Sequence, residues 1–442
     1  MPGEREGTAR GGLWTRAGSL AAQAPARRNR YVDFLRAVSI TVVVLGHWLM
    51  AAPYYAEGAL QIGDLLRVVP WTRWLTWAFQ VMPVFFMVGG YANAASWSSA
   101  RRSGRTYAEW VAVRLRRLVA PLVLLLLFWT LLAAAGNQAG VQPVNIRVGS
   151  QAALIPVWFL SVYVLVVVAV PVTHRAWRRF GLASFWGLAL GAVVVDLVGF
   201  TVFPLLRWVN YGFIWLAMHQ LGYHWQAGGF ATPARSLPWA ALGLAVLAAL
   251  VAVAGYPVSM VGVPGEEVSN SQPPTLALLA LGLFHAGLLL GLQGPMRRWL
   301  ERSGPWTFTV LVNGYIMTLY LWHLTAMVLV IGAANLLGGA GLGLFPGSGP
   351  WWATRPLWDL LLGLVLWPFL AVFARFEQGA RGSAAAPLAP WRAVAGSILL
   401  CYGLASLARG GIGGDGPLGL RLWVVILALA GAALVLARRR PA

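Results

Sequence analysis

The sequence predicts an all-α fold: a polytopic integral membrane helical bundle of about ten core transmembrane helices plus two C-terminal ones. Three observations support this prediction. The 442 residues are 59% hydrophobic and only 10% charged, whereas soluble domains carry about 25% charged residues. Apolar runs of about 20 residues, long enough to cross a bilayer, recur along the whole chain. The arginines are concentrated between these runs.

The apolar runs define about twelve candidate spans. They are continuously apolar and lack the alternation of a membrane β-barrel, so each is predicted to be a helix. In order, the candidate spans cover residues 35–52, 77–97, 118–135, 154–172, 182–203, 205–222, 238–256, 275–293, 307–332, 357–374, 393–408 and 419–437.

The net charge of +20 is placed where topology signals belong. Arginine clusters fall in alternate loops, which the positive-inside rule assigns to the cytoplasm, and another loop holds Glu266 and Glu267 without arginine. This placement predicts a multi-pass protein of the plasma membrane with both termini cytoplasmic, and it argues against nucleic-acid binding. The clusters contain Arg27, Arg28, Arg30, Arg101, Arg102, Arg105, Arg114, Arg116, Arg117, Arg175, Arg178, Arg179, Arg297, Arg298, Arg302 and Arg438 to Arg440.

The first span carries a polar stripe of Asp33, Arg36 and His47. Arg36 and His47 are eleven residues apart, which places them within about 20° of one helix face and about 16 Å apart along the axis. An imidazole at this depth can take a proton from an alcohol. A guanidinium at the membrane edge can hold phosphates or a carboxylate. The alternative is an interfacial Asp33–Arg36 ion pair and a hydrogen-bonded packing histidine.

Five motifs in order resemble the membrane-bound acyltransferase-3 family, the bacterial O-acetyltransferases of surface polysaccharides and related acceptors. The spacing of Arg36 and His47, with ten residues between them, resembles that in the first helix of the family. Gly89 stands where the family's Phe-Phe-Val-x-Ser-Gly-Phe motif usually has Ser, so a role of that hydroxyl does not transfer. The matching segments are Tyr31 to Trp48, Val84 to Tyr91, Arg114 to Pro121, Val157 to Leu160 and Tyr320 to His323.

The resemblance implies a role for each candidate site residue. His47 would be the base that activates an acceptor hydroxyl, or a relay for the acyl group. Arg36 would support the acyl-CoA donor or orient the site. Arg114 and Arg117 would bind CoA phosphates, although topology signals look the same. His323 is expected near the depth of His47, where it would orient the acceptor, share proton transfer or simply pack.

The predicted function is therefore transfer of an acyl group, expected to be acetyl, from cytoplasmic acyl-CoA to a hydroxyl of a glycan, lipid-linked sugar or glycolipid, or small metabolite. Acyl-CoA would be a substrate, with no permanently bound cofactor and no metal site. Membrane lipids and the acceptor are the other expected partners. The alternative is a transporter or flippase of a glycan or lipid-linked sugar, which would more often show inverted repeats and broken helices.

The remaining features define the domain organisation and the secondary candidates. Residues 1–30 lack an apolar core and are expected to be a disordered cytoplasmic tail. Residues 31–375 form the acyltransferase-3-like membrane domain, and 376–442 are an extension with two transmembrane helices of unassigned function. Asp196 is a candidate partner of Arg207 or of a histidine. His285 is placed by no motif, and His219 and His224 are interpreted as ordinary polar residues near the cytoplasmic interface.

Overall fold

The computed structural model describes residues 12–25, 28–382 and 386–437. Within these ranges the regular secondary structure is helical apart from one antiparallel hairpin, β1 (Tyr54–Ala56) and β2 (Ala59–Gln61). Short 3-10 helices cover Pro70–Leu75, Pro204–Val209 and Pro417–Gly419. The α-helices are α1 (Leu13–Ala22), α2 (Arg30–Met50), α3 (Leu65–Val68), α4 (Thr76–Phe79), α5 (Met82–Arg102), α6 (Tyr107–Gln138), α7 (Pro143–Leu154), α8 (Val157–Phe180), α9 (Leu182–Thr201), α10 (Asn210–Gln226), α11 (Pro233–Ala252), α12 (Leu276–Gly291), α13 (Gln293–Trp299), α14 (Ser303–Gly314), α15 (Ile316–Leu336), α16 (Gly349–Gly382), α17 (Pro390–Gly410) and α18 (Leu422–Leu436).

The all-α multi-pass fold is confirmed, but fewer helices than expected have the length and composition of a membrane span. In the described part of the chain nine do, or ten if α12 and α13, bent by 54° at their junction, count as one. The sixth predicted span is α10, which has 17 residues and buries polar groups such as His219. The last is α18, whose 15 residues extend about 22 Å against a hydrocarbon core of about 30 Å.

The expectation of disorder over residues 1–30 does not describe residues 13–22, which form α1. This helix packs on α14, where the Trp306 indole donates a hydrogen bond of 3.0 Å to the Ala21 carbonyl. Ala17 and Ala21 are buried in the contact, because their small side chains let the helix lie close to its neighbour. Residues 1–11 and 26–27 of the predicted tail, and the terminal Arg438 to Arg440, lie outside the described residues.

The C-terminal extension continues the bundle. Helix α16 runs through the predicted boundary at residue 375, and α17 and α18 then pack against α6, α7 and α8. The Cys401 thiol on α17 donates to the Ser161 carbonyl at 2.8 Å, and the Ile412 amide donates to the Ser150 hydroxyl at 2.9 Å. The two added helices therefore share a hydrophobic core with the rest of the chain.

Helices α5 and α10 approach each other backbone to backbone. A Cβ on Gly90 would lie 2.1 Å from the His219 carbonyl oxygen, and one on Gly222 would lie 2.1 Å from the Met87 carbonyl oxygen. Only glycine permits such an approach, as at other close contacts between membrane helices. The contact brings Asn93 on α5 and His219 on α10 together inside the bundle.

The two ends of the bundle differ. The arginine-rich end holds the first residues of α2 and α6 and the last residues of α5 and α8, with their arginine-bearing connections. At the opposite end, the connections after α2, α11 and α15 are joined to one another. The Tyr55 amide donates to the Leu342 carbonyl at 2.7 Å, the Met260 amide donates to the Thr76 hydroxyl at 2.8 Å, and Arg73 pairs with Glu266 at 2.8 Å.

Candidate active site

His47 and His323 form a direct pair. His47 Nδ1 lies 2.9 Å from His323 Nε2, and the two rings are nearly parallel, at an angle of 13°. The Trp48 indole donates a hydrogen bond of 3.0 Å to the His323 carbonyl, which joins α2 to α15 at this level. The expectation that His323 lies near the depth of His47 is confirmed, and direct contact between the rings goes beyond it.

The surroundings of His323 determine where the protons of the pair reside. His323 Nδ1 lies 2.9 Å from the Tyr320 carbonyl and 3.1 Å from the Leu319 carbonyl. Carbonyl oxygens only accept hydrogen bonds, so Nδ1 carries the proton. In a neutral ring His323 Nε2 is then an acceptor, and His47 Nδ1 must donate to it. Among the described residues no hydrogen-bond partner occupies His47 Nε2, which retains its lone pair.

The neighbours of His323 on α15 hold its position. The Tyr320 hydroxyl donates to the Pro156 carbonyl at the start of α8. Thr325 accepts a hydrogen bond of 3.0 Å from the Trp129 indole on α6. Trp322 stacks on Phe373 of α16 with the ring centroids 4.0 Å apart. Three helices thus fix the segment around the imidazole, which is the kind of support that a precise site requires.

A cavity of about 320 Å³ lies between the arginine-rich end and the histidine pair. Arg36 lines it, and so do Ile40, which lies on α2 between Arg36 and His47, and Tyr320, one turn before His323. Arg36 faces this cavity, and His47 contacts the buried His323 on α15, so both side chains point into the bundle, although neither histidine is among the residues that line the cavity. The walls combine a basic group, Arg28, Arg36, Arg114 and Arg117, with aromatic side chains, Phe85, Phe159, Tyr163 and Tyr320.

Asp33 organises two of the cavity arginines. Its carboxylate lies 2.5 Å from Arg28 Nε and 3.8 Å from Arg36 Nη1. Asp33 therefore pairs more closely with Arg28, which the sequence analysis counted only as a topology signal, than with Arg36. Arg114 Nη2 donates to the Ala92 carbonyl at 3.1 Å. The grouping of four guanidiniums around one cavity suits an anionic ligand with several phosphates.

Glu377 is a cavity residue that the sequence analysis missed. Its carboxylate accepts hydrogen bonds from the Thr318 amide at 3.0 Å, the Thr318 hydroxyl at 2.8 Å and the Met317 amide at 3.3 Å. These groups form the first turn of α15, whose free N–H groups favour a carboxylate. Glu377 thereby joins α16 to the helix that carries His323.

Gly89 is in contact with Tyr163 of α8. A Cβ at Gly89 would lie 2.7 Å from Tyr163 Cε2 and 2.8 Å from the Tyr163 hydroxyl oxygen. The tyrosine therefore fills the space that a side chain at this position would need. This contact accounts for glycine in place of the serine that is usual in the resembling motif, and it puts a different hydroxyl on the cavity wall.

Asp196 and His285 lie outside this site. The Asp196 carboxylate accepts from the Asn210 amide at 2.7 Å, the Tyr256 hydroxyl at 3.0 Å and the Leu276 amide at 2.7 Å. Among the described residues no hydrogen bond or close ion pair joins Asp196 to Arg207 or to a histidine, although the Arg207 charge still acts on the carboxylate; the guanidinium lies over Phe200, 4.2 Å from the ring centroid. His285 Nε2 lies 2.9 Å from the Trp77 carbonyl. Both groups join helices and loops, away from the cavity.

Comparison with known proteins agrees with the sequence motifs. A family model described as an acyltransferase domain, that of acyltransferase family 3, matches residues 29–376. No curated protein and no solved structure matches the chain. The matched segment contains α2 to α15 and the part of α16 before Glu377. It includes both histidines and three of the four cavity arginines, Arg36, Arg114 and Arg117, whereas Arg28 lies one residue before it. The chain belongs to the membrane-bound acyltransferase-3 family.

Proposed function

We propose that this protein is a plasma-membrane O-acyltransferase that moves an acyl group, expected to be acetyl, from cytoplasmic acyl-CoA to a hydroxyl group. The acceptor classes are a glycan, a lipid-linked sugar or glycolipid, and a small metabolite. Family membership supports acyl transfer. The observation that carries the rest is His47 Nε2, which has no hydrogen-bond partner in the described part of the chain; His323 holds the ring, and the arginine-lined cavity lies between it and the arginine-rich end.

The arginine-rich end supports acyl-CoA as the donor. The positive-inside rule assigns this end, and with it both termini, to the cytoplasm, where acyl-CoA is made. Arg28, Arg36, Arg114 and Arg117 line the cavity there, and guanidinium groups match phosphate oxygens in geometry and charge. A CoA whose phosphates bind these arginines would direct its thioester along the cavity toward the histidines.

In the proposed reaction, His47 Nε2 takes the proton of the acceptor hydroxyl while the oxygen attacks the thioester carbonyl carbon. The carbon–sulfur bond then breaks, and the departing CoA thiolate receives the proton from the imidazolium. His323 is a positioning residue in this scheme. Its Nε2 accepts a hydrogen bond from His47 Nδ1, which turns His47 Nε2 toward the acceptor hydroxyl and stabilises the His47 imidazolium, as the orienting residue of a nucleophile–base–orienter array does.

The test of this function measures donor consumption and product together. Purified protein in liposomes receives acetyl-CoA and extracted cell-surface glycans or lipids, and CoA thiol release is followed. Glycans and lipids from cells with and without the gene are compared by mass. The proposal predicts thiol release that depends on the extract, and a mass difference of one acyl group. Absence of both results would overturn it.

The transporter alternative gives the opposite result in the same assay. A flippase would move a glycan or lipid-linked sugar across the liposome membrane without consuming acetyl-CoA. Membership in an acyltransferase family favours the enzyme, because acyl transfer requires a donor thioester whereas transport does not.

A further inference from the structure

A chain of three polar side chains from three helices crosses the wall of the cavity. Asn93 Nδ2 on α5 lies 3.1 Å from His219 Nε2 on α10 and 3.4 Å from the Tyr163 hydroxyl on α8. Asn93 is 1% exposed and His219 is fully buried. The interpretation of His219 as an ordinary interfacial histidine is therefore wrong, because the close approach of α5 and α10 encloses it.

This chain of polar groups is incompletely satisfied. Asn93 Oδ1 and His219 Nδ1 are both buried and have no hydrogen-bond partner among the described residues. Burying an amide or imidazole group without a partner is unfavourable, so such groups concentrate where a function requires them. Structural packing alone would be served better by apolar side chains at both positions.

Two members of this chain, Tyr163 and Asn93, line the cavity, and Tyr163 is the more exposed of the two. It is partly buried and lines the cavity wall, whereas His219 lies behind Asn93. Asn93 Nδ2 donates to the Tyr163 oxygen, so the hydroxyl proton of Tyr163 is available to a ligand. Its ring is held by Phe159 and Phe86, with centroids 5.5 Å and 5.9 Å away. The hydroxyl is thus a fixed hydrogen-bond donor in an aromatic wall.

The position of this donor indicates which part of a ligand it meets. Asn93 directly follows Ala92, whose carbonyl accepts from Arg114, so the chain begins beside the arginines. The Phe159 ring contacts both tyrosines, with its centroid 5.5 Å from that of Tyr163 and 5.7 Å from that of Tyr320. His323 lies a turn beyond Tyr320. Tyr163 therefore lies between the basic group and the histidine pair, and not at the pair itself.

We propose that Tyr163 donates a hydrogen bond to an amide carbonyl of the pantetheine arm of acyl-CoA, and that Asn93 and His219 are positioning residues for this contact. This inference rests on the proposed function. Pantetheine is the linear part of CoA that joins the phosphates to the thioester, and its amides are its strongest hydrogen-bonding groups. With phosphates on the arginines and the thioester at His47, an amide lies at the level of Tyr163.

The test compares Tyr163→Phe with wild type on two donors. One is acetyl-CoA, and the other is an acetyl-CoA analogue in which one pantetheine amide is replaced by two methylenes; an analogue is made for each amide. For acetyl-CoA, KM should rise about tenfold in the variant, and kcat should stay within about twofold. For one of the analogues, wild type and variant should have the same KM, because the contact is already absent.

Two further variants separate positioning from folding. His219→Leu should raise the KM for acetyl-CoA in the same direction, whereas His219→Gln, whose carbonyl can accept from Asn93, should restore it at least in part. Tyr107→Phe is the matched control, because its hydroxyl bonds to the Val168 carbonyl at 3.1 Å and lies outside the cavity lining. It should leave both kinetic constants unchanged.

Each contrary outcome has a distinct meaning. A fall in kcat with unchanged KM, or an equal loss on acetyl-CoA and on both analogues, would overturn the pantetheine contact. An unaltered KM in Tyr163→Phe would overturn it as well. If wild type itself consumed no acyl-CoA, the proposed function would fail first, and that result is visible before any variant is compared.

Discussion

His47 Nδ1 donates to His323 Nε2 across 2.9 Å, and His323 Nδ1 in turn faces the carbonyls of its own helix. Backbone carbonyls cannot change protonation state, so they set the tautomer of both rings from one end. His47 Nε2 is therefore the ring nitrogen of the pair whose lone pair is available to take a proton. A neutral histidine here takes the orienting role that a carboxylate has in many hydrolytic sites.

His323→Leu removes the acceptor for the His47 Nδ1 proton, and we expect it to lower kcat by about 10²-fold, because the wrong tautomer then becomes accessible. His323→Gln retains a carbonyl oxygen that can accept, so it should lose about tenfold or less. Initial rates of CoA release under saturating donor measure both. Equal losses in the two variants would contradict the orienting role.

Arg36→Gln should raise the KM for acetyl-CoA by about 10- to 100-fold, because a charge-assisted hydrogen bond to phosphate is lost. The loss should grow smaller as ionic strength increases. Arg175→Gln is the matched control: Arg175 is exposed at the same end of the bundle and does not line the cavity. A similar KM increase in both variants would show that only the general positive charge matters.

Gly89→Ser should destabilise the protein by about 1–3 kcal/mol, because the new Cβ would lie 2.7 Å from Tyr163 Cε2 in a packed wall. Thermal unfolding in detergent measures this change. Tyr163→Ala alone opens a cavity and is also expected to destabilise. In the double variant the two changes should compensate, so that it unfolds at a higher temperature than their sum predicts. Additive effects would contradict the contact.

Direct transfer and an acyl-histidine relay differ when the acceptor is absent. Direct transfer requires the acceptor oxygen as the nucleophile, so mixing enzyme with acetyl-CoA alone should release no burst of thiol. A relay through His47 would release one equivalent of thiol per site before stopping. Rapid-mixing measurement of free thiol separates the two, and a burst that His47→Ala abolishes would replace the base mechanism with the relay.

Much of the fold can be predicted from the distribution of apolar residues and arginines along the sequence. Lipid requires long apolar helices, and topology requires arginines at one end, so the runs and clusters predict most of the spans. The bend of 54° between α12 and α13 and the short α18 depend on packing against neighbours. Helix α1 was not predicted from the sequence, because it is stabilised by its contact with Trp306 on α14, which is distant in the sequence.

The site was predictable where its residues share one helix face, as Arg36 and His47 do, or fall in a motif that resembles the family, as Arg114, Arg117 and His323 do. The helical period places Arg36 and His47 on the same face, and depth alone places His323 near His47. Asn93, Tyr163 and Glu377 could not be found in this way, since each reaches the cavity through the packing of a different helix. Arg28 could not be found either, because it lies in the connection before α2. The pairing of Asn93 with His219 requires the approach of α5 to α10, which no periodicity encodes.

The most direct test of the central claim is acetyl transfer by His47→Ala beside wild type in liposomes with acetyl-CoA and the acceptor extract. Within the described residues, His47 Nε2 is the one nitrogen of the histidine pair that has a lone pair and no hydrogen-bond partner. His47→Ala removes this base, so we expect transfer to fall by about 10²–10⁴-fold. Chromatographic profile and melting temperature should stay near those of wild type. Full transfer by a well-folded His47→Ala protein would contradict the account.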